Sequence, residues 1–283
     1  MSAPMYAALL ADAAARLHDV AGDDARLEAE VLLATALRSD RAHVIARLHE
    51  PADDATAARF AALLERRLAH EPLAYITGER EFYGLAFRCT PAALIPRPET
   101  ELLVDFALEE VRTRGVAARI ADIGTGTGAV AVAVAVHAPG TRVIATDSAG
   151  DALSLARENA QRHGVADRIE LRAADLLDGL GVLDVIVANL PYVAQSDYDR
   201  LPPEIREHEP RAALLAGPRG TEVVGRLLAE APAHLASGGA LAAEIGDAQA
   251  DELLAAARRA FRDAACSVIK DAGGRDRVLV VRT

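Results

Sequence analysis

Arg119-Ile-Ala-Asp-Ile-Gly-Thr-Gly-Thr-Gly128 is a short apolar run that breaks into a turn with glycine at 124, 126 and 128, followed at once by the apolar stretch Ala129 to Val136. Glycine at alternate positions permits positive φ and a close approach of backbone to a ligand, and a helix starting at Ala129 turns its free N–H groups toward the same place. The stretch reads as strand, glycine-rich turn and buried helix. Elements of this kind alternate around it: helix Glu99 to Arg112, strand Arg119 to Asp122, helix Ala129 to His137, strand Arg142 to Thr146, helix Asp151 to His163 and strand Arg168 to Arg172. Strand Asp184 to Ala188, helix Thr221 to Leu235, strand Ala240 to Glu244, helix Gln249 to Ala260, and strands near Cys266 and over Val278 to Val281 complete the series. The pattern predicts an α/β fold with a mostly parallel sheet and helices on both faces.

Upstream the texture is different. Leu9, Leu10, Ala13, Ala14 and Leu17 recur at helical spacing, as do Val31, Leu32, Ala34, Thr35 and Leu37. Ser39-Asp40 offers an N-cap for a short helix through Leu48, and Asp53-Asp54 start another that runs to about Leu68. Residues 1–71 therefore form a small helical bundle. Between Pro72 and Pro98, Tyr75-Ile-Thr-Gly78 and Glu81-Phe-Tyr-Gly-Leu-Ala-Phe87 carry four of the ten aromatic residues and read as a β-hairpin linker, 72–98. The remainder, 99–283, is the α/β domain.

A length of 283 residues suits about two domains, and 51% hydrophobic with 26% charged residues is enough to bury a sizeable core. The net charge of −11 is spread along the chain, which disfavours a nucleic-acid backbone as direct partner. Residues 1–75 hold eight basic and twelve acidic side chains, either a solvated face or a docking surface for a basic protein. Cys89 and Cys266 stand far apart, outside any Cys-x-x-Cys or Cys/His cluster, so the reading is two reduced cysteines and no metal. Met1 to Leu10 lacks a basic segment followed by a long apolar run, and Ala129 to Val136 is far shorter than the ~20 residues that span a bilayer. A soluble, cytoplasmic protein with no membrane partner is expected.

Two acidic residues sharpen the glycine turn. Asp122 sits two residues before Gly124, and Asp147 ends the next strand, 19 residues after Gly128, where a carboxylate accepts ribose hydroxyls in nucleotide-binding Rossmann sheets. Gly124-x-Gly126-x-x-Ala129 fits a dinucleotide pattern, but Asp122 with the three glycines resembles the acidic-x-Gly-x-Gly-x-Gly loop of S-adenosyl-L-methionine-dependent methyltransferases. In that family the acidic residue helps organise the methionine end of the cofactor, and no pyrophosphate needs a cradle. The candidate cofactor residues are Asp122, Gly124, Thr125, Gly126, Thr127, Gly128 and Asp147, with Asn189 further along the chain. Further along, Asp175 is placed to accept the adenine amino hydrogen with Leu176 against the ring, although Asp175 reads equally as a helix N-cap.

Strand Asp184 to Ala188 runs into Asn189-Leu-Pro-Tyr192, at the carboxyl end of a parallel strand, where such folds place ligands. The tetrapeptide resembles the Asn/Asp-Pro-Pro-Tyr motif of methyltransferases that modify nitrogen conjugated to a π system. An amide or aromatic amino nitrogen is a poor nucleophile because its lone pair is delocalised. The Asn189 side-chain oxygen and the Leu190 carbonyl can each accept one N–H, which orients that lone pair and stabilises charge building on nitrogen. Pro191 fixes the turn and Tyr192 supplies an aromatic wall. Leu190 departs from the motif, which has proline there; the carbonyl survives, and the rigidity of the loop is what the change puts in question.

Taken together the chain resembles the HemK/PrmC-type protein-glutamine methyltransferases. Leu94-Ile-Pro-Arg-Pro-Glu-Thr-Glu101, Tyr75-Ile-Thr-Gly78, Glu81-Phe-Tyr-Gly84, Glu209-Pro-Arg-Ala-Ala-Leu214, Glu244-Ile-Gly246 and Gly274-Arg-Asp-Arg-Val278 carry the likeness. The resemblance implies methylation of the side-chain nitrogen (N5) of the glutamine in the Gly-Gly-Gln tip of class I peptide chain release factors. It implies S-adenosylmethionine as donor, held by Gly124 to Gly128, Asp147 and Leu176, with Asn189 to Tyr192 on the glutamine. Pro96 to Glu101 would shape the site's mouth, or Arg97 and Glu99 are plain solvated charges. The helical domain would hold the protein partner. Rival readings are an adenine-N6 methyltransferase acting on DNA or RNA, and a catalytically silent cofactor-binding adaptor whose site Leu190 has spoiled.

Overall fold

A computed structural model of the chain describes residues 4–283; of the Met1–Leu10 segment read above, Met1 to Ala3 lie outside the described residues. The chain divides into two compact units, one running to Gly78 and including Pro203–His208, the other formed by Glu79–Pro202 and Glu209–Thr283.

The first unit is helical: α1 (Tyr6–Ala21), α2 (Ala25–Leu37), α3 (Arg41–Ala46), α4 (Asp54–Leu68) and the short α5 (Leu73–Thr77). Tyr6, Leu10, Ala13 and Leu17 of α1 meet Leu32 and Leu33 of α2 and Phe60 and Leu64 of α4 in one core, each element giving the face that its three-and-four spacing defines. The caps are those the acidic residues announce. Asp40 accepts from the His43 backbone at 2.8 Å and Asp53 from the Thr56 backbone at 2.8 Å. The buried Arg67 guanidinium pairs with Glu28 (2.7 Å) and Glu204 (2.9 Å), which fastens Pro203–His208 to this unit. A buried cation is tolerated because both partners and a hydrogen bond to Glu71 O surround it.

Tyr75-Ile-Thr-Gly78 is not part of the hairpin. Pro72 opens the helical turn α5, and Gly78 closes it at φ 80. The hairpin proper is β1 (Glu79–Phe82) and β2 (Leu85–Arg88), turning through Tyr83-Gly84, both at positive φ.

The second unit continues with a 3₁₀ turn at Pro98–Thr100, α6 (Glu101–Arg114), β3 (Ile120–Ile123), α7 (Ala129–His137), β4 (Val143–Asp147), α8 (Gly150–Arg162), β5 (Ile169–Ala173) and β6 (Leu183–Ala188). Then come β7 (Val193–Ala194), α9 (Gln195–Tyr198), the short α10 (Pro203–His208) that counts with the helical unit, β8 (Leu215–Gly217), α11 (Glu222–Glu230), β9 (Leu235–Glu244), α12 (Ala250–Ala260), β10 (Ala265–Lys270) and β11 (Asp276–Arg282). The main sheet has the order β10-β11-β9-β6-β3-β4-β5, with β9, β6, β3, β4 and β5 parallel and β11 antiparallel to both of its neighbours, so that β10 runs in the same direction as β9. The expected α/β fold is thus observed, and its strand order reverses at β3.

Both faces of this sheet are buried, and the pleat sorts the side chains between two cores. Val185, Val187, Ala240, Ala242, Val278 and Val280 join α6 and α7 on one side, while Ile186, Ala188, Leu241, Ala243, Leu279 and Val281 join α11 and α12 on the other. Helix α7 is apolar all round and buried from Ala129 to Ala135. The expected helix Thr221 to Leu235 ends early. Pro232 cannot continue an α-helix, so Ala231–Ala233 forms a 3₁₀ turn, and β9 starts at Leu235 instead of Ala240. No helix among the described residues is long and apolar enough to cross a membrane.

Candidate active site

The carboxyl ends of β3 and β6 are neighbours at the point where the strand order reverses, the position at which open α/β sheets form a crevice. A cavity of about 310 Å³ opens there. The glycine turn follows β3 and Asn189-Leu-Pro191 follows β6, so two motifs some sixty residues apart face one space.

The glycine turn is held by its neighbours on the sheet. Gly124 and Thr125 donate their backbone N–H to Thr146 O (2.9 and 2.8 Å), and Gly126 N donates to the Asp147 carboxylate at 2.9 Å. Asp122, buried, accepts from Thr125 Oγ1 (2.6 Å) and the Ala131 backbone (3.1 Å), so it ties the turn to the start of α7. That burial pushes its carboxyl up to about 6 against the two donors; the nearby Asp147 charge adds to the rise. All three glycines have positive φ. A Cβ on Gly124 would lie 2.8 Å from Leu190 Cδ2, and one on Gly128 would lie 3.0 Å from Ala156 Cβ on α8. Gly128 packs a helix and does not line the cavity; Gly124, Thr125, Gly126, Thr127, Asp122 and Asp147 do.

Asp175 and Leu176 reach the same cavity from beyond β5. Asp175 caps no helix; its exposed carboxylate pairs with Arg226 of α11 at 2.7 Å. Leu176 is buried at φ 50, a strained backbone for a branched side chain, and so presents its apolar surface in a fixed place.

Asn189, Leu190 and Pro191 line the cavity on the β6 side. Leu190 is 5% exposed, its side chain seated on Gly124 among Ile123, Leu176 and Ile186. The loop is therefore immobilised by burial where the motif uses a second proline, and Pro191 further restricts the residue before it. No donor among the described residues takes the Leu190 carbonyl. Asn189 Nδ2 donates to Thr100 Oγ1 at 2.9 Å. Tyr192 differs from the expectation of an aromatic wall: it is not among the cavity-lining residues, and its hydroxyl donates to Glu244 at 3.3 Å. Its backbone oxygen accepts from Gln249 Nε2 at 2.8 Å. Arg97 pairs with the buried Glu209, which also accepts from Ile95 N at 3.2 Å, so Leu94 to Thr100 is tied to the wall formed by Pro210, Ala212 and Ala213. Glu99 faces Arg275 at 3.6 Å instead.

Comparison with known proteins agrees with this arrangement. The PrmC N-terminal domain matches residues 8–78, and the methyltransferase small domain matches residues 99–204. A release factor glutamine methyltransferase of Moorella thermoacetica is 43% identical over 272 residues, covering 95% of this chain and 95% of its own. One of Rhodopirellula baltica is 38% identical over 262 residues, covering 90% of this chain and 88% of its own. The chain belongs to the release factor glutamine methyltransferases. Among solved structures, a methyltransferase from Pyrococcus furiosus shares the fold, with a TM-score of 0.51 at 21% identity over 78% of this chain and 98% of its own.

Membership in a methyltransferase family implies S-adenosylmethionine as methyl donor, and the cavity of this methyltransferase fits one. Gly126, whose Cβ would meet only Ala93 at 3.8 Å, leaves backbone open to a ligand, the Asp147 carboxylate suits hydroxyl donors, and the volume falls within the roughly 300–1,000 Å³ of small-molecule sites. Among the described residues no group of His, Cys, Asp and Glu is placed to hold a metal ion.

Several residues that brace this methyltransferase's site have no single-residue signal in the sequence. Asn159 of α8, buried, donates to Thr127 O (2.9 Å) and Arg88 O (3.1 Å) and accepts from Arg88 N (2.8 Å), joining the glycine turn to the hairpin. Gln249 and Glu244 are of the same kind. Glu244 stands in the Glu244-Ile-Gly246 string, but its partners Thr100 and Tyr192 are 144 and 52 positions away.

Proposed function

We propose that this methyltransferase transfers a methyl group from S-adenosylmethionine to the side-chain amide nitrogen of the glutamine in the Gly-Gly-Gln motif of class I peptide chain release factors. The observation that carries the reading is the pair of acceptors on one loop: Asn189 at the cavity wall with its Nδ2 already engaged, and the Leu190 carbonyl beside it. A primary amide nitrogen carries two N–H groups, and two acceptors one residue apart suit it.

The donor supplies a methyl group on a sulfonium, whose carbon–sulfur bond breaks with its electron pair passing to sulfur. The chain's residues do the rest. Gly124 to Thr127 and Asp122 would shape the wall for the methionine end, Asp147 would accept the ribose hydroxyls, and Leu176, with Asp175 at the rim, would cover the adenine. Asn189 Oδ1 and Leu190 O hold the two N–H groups, so the nitrogen lone pair stands perpendicular to the amide plane and faces the methyl carbon. As the nitrogen–carbon bond forms, positive charge builds on nitrogen, and the two oxygens are already oriented toward it. One N–H proton then leaves to solvent. Pro191 and the buried Leu190 keep the loop in place. The acidic helical unit receives the release factor, whose approach its charge favours if the partner's surface is basic.

The test is transfer of radiolabelled methyl to three acceptors: a class I release factor, the same factor with its Gly-Gly-Gln glutamine changed to alanine, and double-stranded DNA. Label on the first alone is the expected result. Label on DNA would replace the reading with an adenine-modifying one, and cofactor binding with no label anywhere would leave a silent binder.

A further inference from the structure

The Asn189 side chain is one end of a directed chain of hydrogen bonds. Thr100 Oγ1 donates to Glu244 Oε2 at 2.7 Å, and Asn189 Nδ2 donates to Thr100 Oγ1 at 2.9 Å. A hydroxyl has one proton. Once that proton is committed to an ionised carboxylate, Thr100 offers Asn189 only lone pairs, and the amide fits only with its NH2 toward Thr100 and its oxygen toward the cavity. Thr100 is 5% exposed and Glu244 1%, so solvent does not substitute for either partner. The other carboxylate oxygen accepts from the Tyr192 hydroxyl, which leaves Oε2 for Thr100.

We propose that Glu244 and Thr100 are positioning residues that set the polarity of Asn189, so that an oxygen and not an amino group meets the amide nitrogen of the substrate. The inference rests on the reading above, in which Asn189 is an acceptor. It gives a physical task to two segments, Pro96 to Glu101 and Glu244 to Gly246, that β6 and β9 and the turn before α6 bring to one point.

The direction of the chain depends on the charge of Glu244. Burial pushes its carboxyl up and the neighbouring Glu99 adds to the rise, while Thr100, Tyr192 and the cationic Arg277 on β11 oppose them. When Glu244 takes up a proton the order reverses: it donates to Thr100, Thr100 donates to Asn189 Oδ1, and the NH2 group turns to the cavity.

Thr100→Val removes the hydroxyl at nearly constant volume, and Thr100→Ser retains it. With the full chain and a release factor as acceptor, Thr100→Val is expected to lower kcat about tenfold to a hundredfold, the range of a hydrogen bond tied to a charged group, with the dissociation constant of S-adenosylmethionine within about twofold of wild type. Thr100→Ser should restore most of kcat. In a Thr100→Val/Asn189→Ala double variant the losses should not multiply, because both remove the same acceptor. Wild-type kcat in Thr100→Val, a Thr100→Ser variant as slow as Thr100→Val, or multiplying losses would each overturn the proposal. Full activity in Asn189→Ala would instead remove the acceptor reading and this inference with it. If Thr100→Val does not fold, Glu244→Gln carries the test. Its carboxamide both donates and accepts, so the polarity is no longer imposed; kcat should fall, cofactor affinity should hold, and the acid limb that protonation of Glu244 should give the wild-type kcat profile should disappear. An unchanged kcat and acid limb would sink the idea.

Discussion

The two loops that face the cavity are built on opposite plans. The glycine turn is fixed by what lies beside it on the sheet: Thr146 O, Asp147 and Asp122 belong to β3 and β4, and the turn's own φ angles do the rest. The loop Asn189 to Tyr192 is fixed by side chains from far along the chain, Thr100, Glu244 and Gln249, and by the seating of Leu190 on Gly124. A loop that must pass backbone close to a ligand is specified by which side chains are missing. A loop that must aim one oxygen at a nitrogen is specified by a scaffold of hydrogen bonds around it.

If the division of labour holds, the two loops fail differently. The largest effect is expected for Asn189→Ala: methyl transfer should fall about a hundredfold to a thousandfold, as when one preorganised partner of the reacting group is lost, while calorimetric cofactor affinity stays near wild type. Loss of both together would merge the two plans into one. Leu190→Ala should empty a buried site against Gly124 and cost about 2–5 kcal/mol, seen as a drop in Tm of several degrees; because the carbonyl stays while the loop loosens, methyl transfer below the transition should fall, but by less than in Asn189→Ala. A stable but inactive variant would show that the leucine acts on the acceptor and not on the packing.

Asp147→Asn should do the reverse of Asn189→Ala. Affinity for S-adenosylmethionine should weaken about tenfold to a hundredfold through the lost charged acceptor, and kcat at saturation should change little; a fall in kcat alone would contradict the assignment. The smallest effect is electrostatic. The Asp122 carboxyl is raised to about 6 in the folded chain, so the folded state holds this proton more tightly than the unfolded one. Its stabilisation is complete below about pH 4 and is lost as pH rises through about 6. Asp122→Asn removes that dependence, so the Tm difference, variant minus wild type, should become more positive by a few degrees between about pH 5 and about pH 7.5. A difference constant across that window would mean that Asp122 titrates near its ordinary value.

Legibility in the sequence follows the same line. The glycine turn and the caps at Asp40 and Asp53 are set within a few residues, and the sequence states them, whereas the strand order that opens the crevice is a matter of pairing between distant segments and is not stated. Helix α7 is legible because Gly128 stops a strand from continuing into its alternating alanines and valines. The inward turn of Tyr192 toward Glu244 is not legible, since nothing at 192 differs between a ring that lines a cavity and one that braces a carboxylate. Nor is the end of α11 obvious until Pro232 is weighed against the apolar periodicity that carries through it. Arg97 reads from the sequence either as a solvated charge or as part of the site's mouth, because its partner, Glu209, lies 112 positions away.

The six residues Pro203–His208 give the border between the two units an unusual form. The chain crosses it once at Gly78 and twice more around this hexapeptide, which Glu204 pins to Arg67. A cut after Gly78 therefore frees no clean module: the catalytic portion would keep a tethered loop that has lost its mooring, and the helical portion would expose an arginine with half its counter-charge removed. Anyone grafting the helical portion onto another enzyme has three junctions to design, not one.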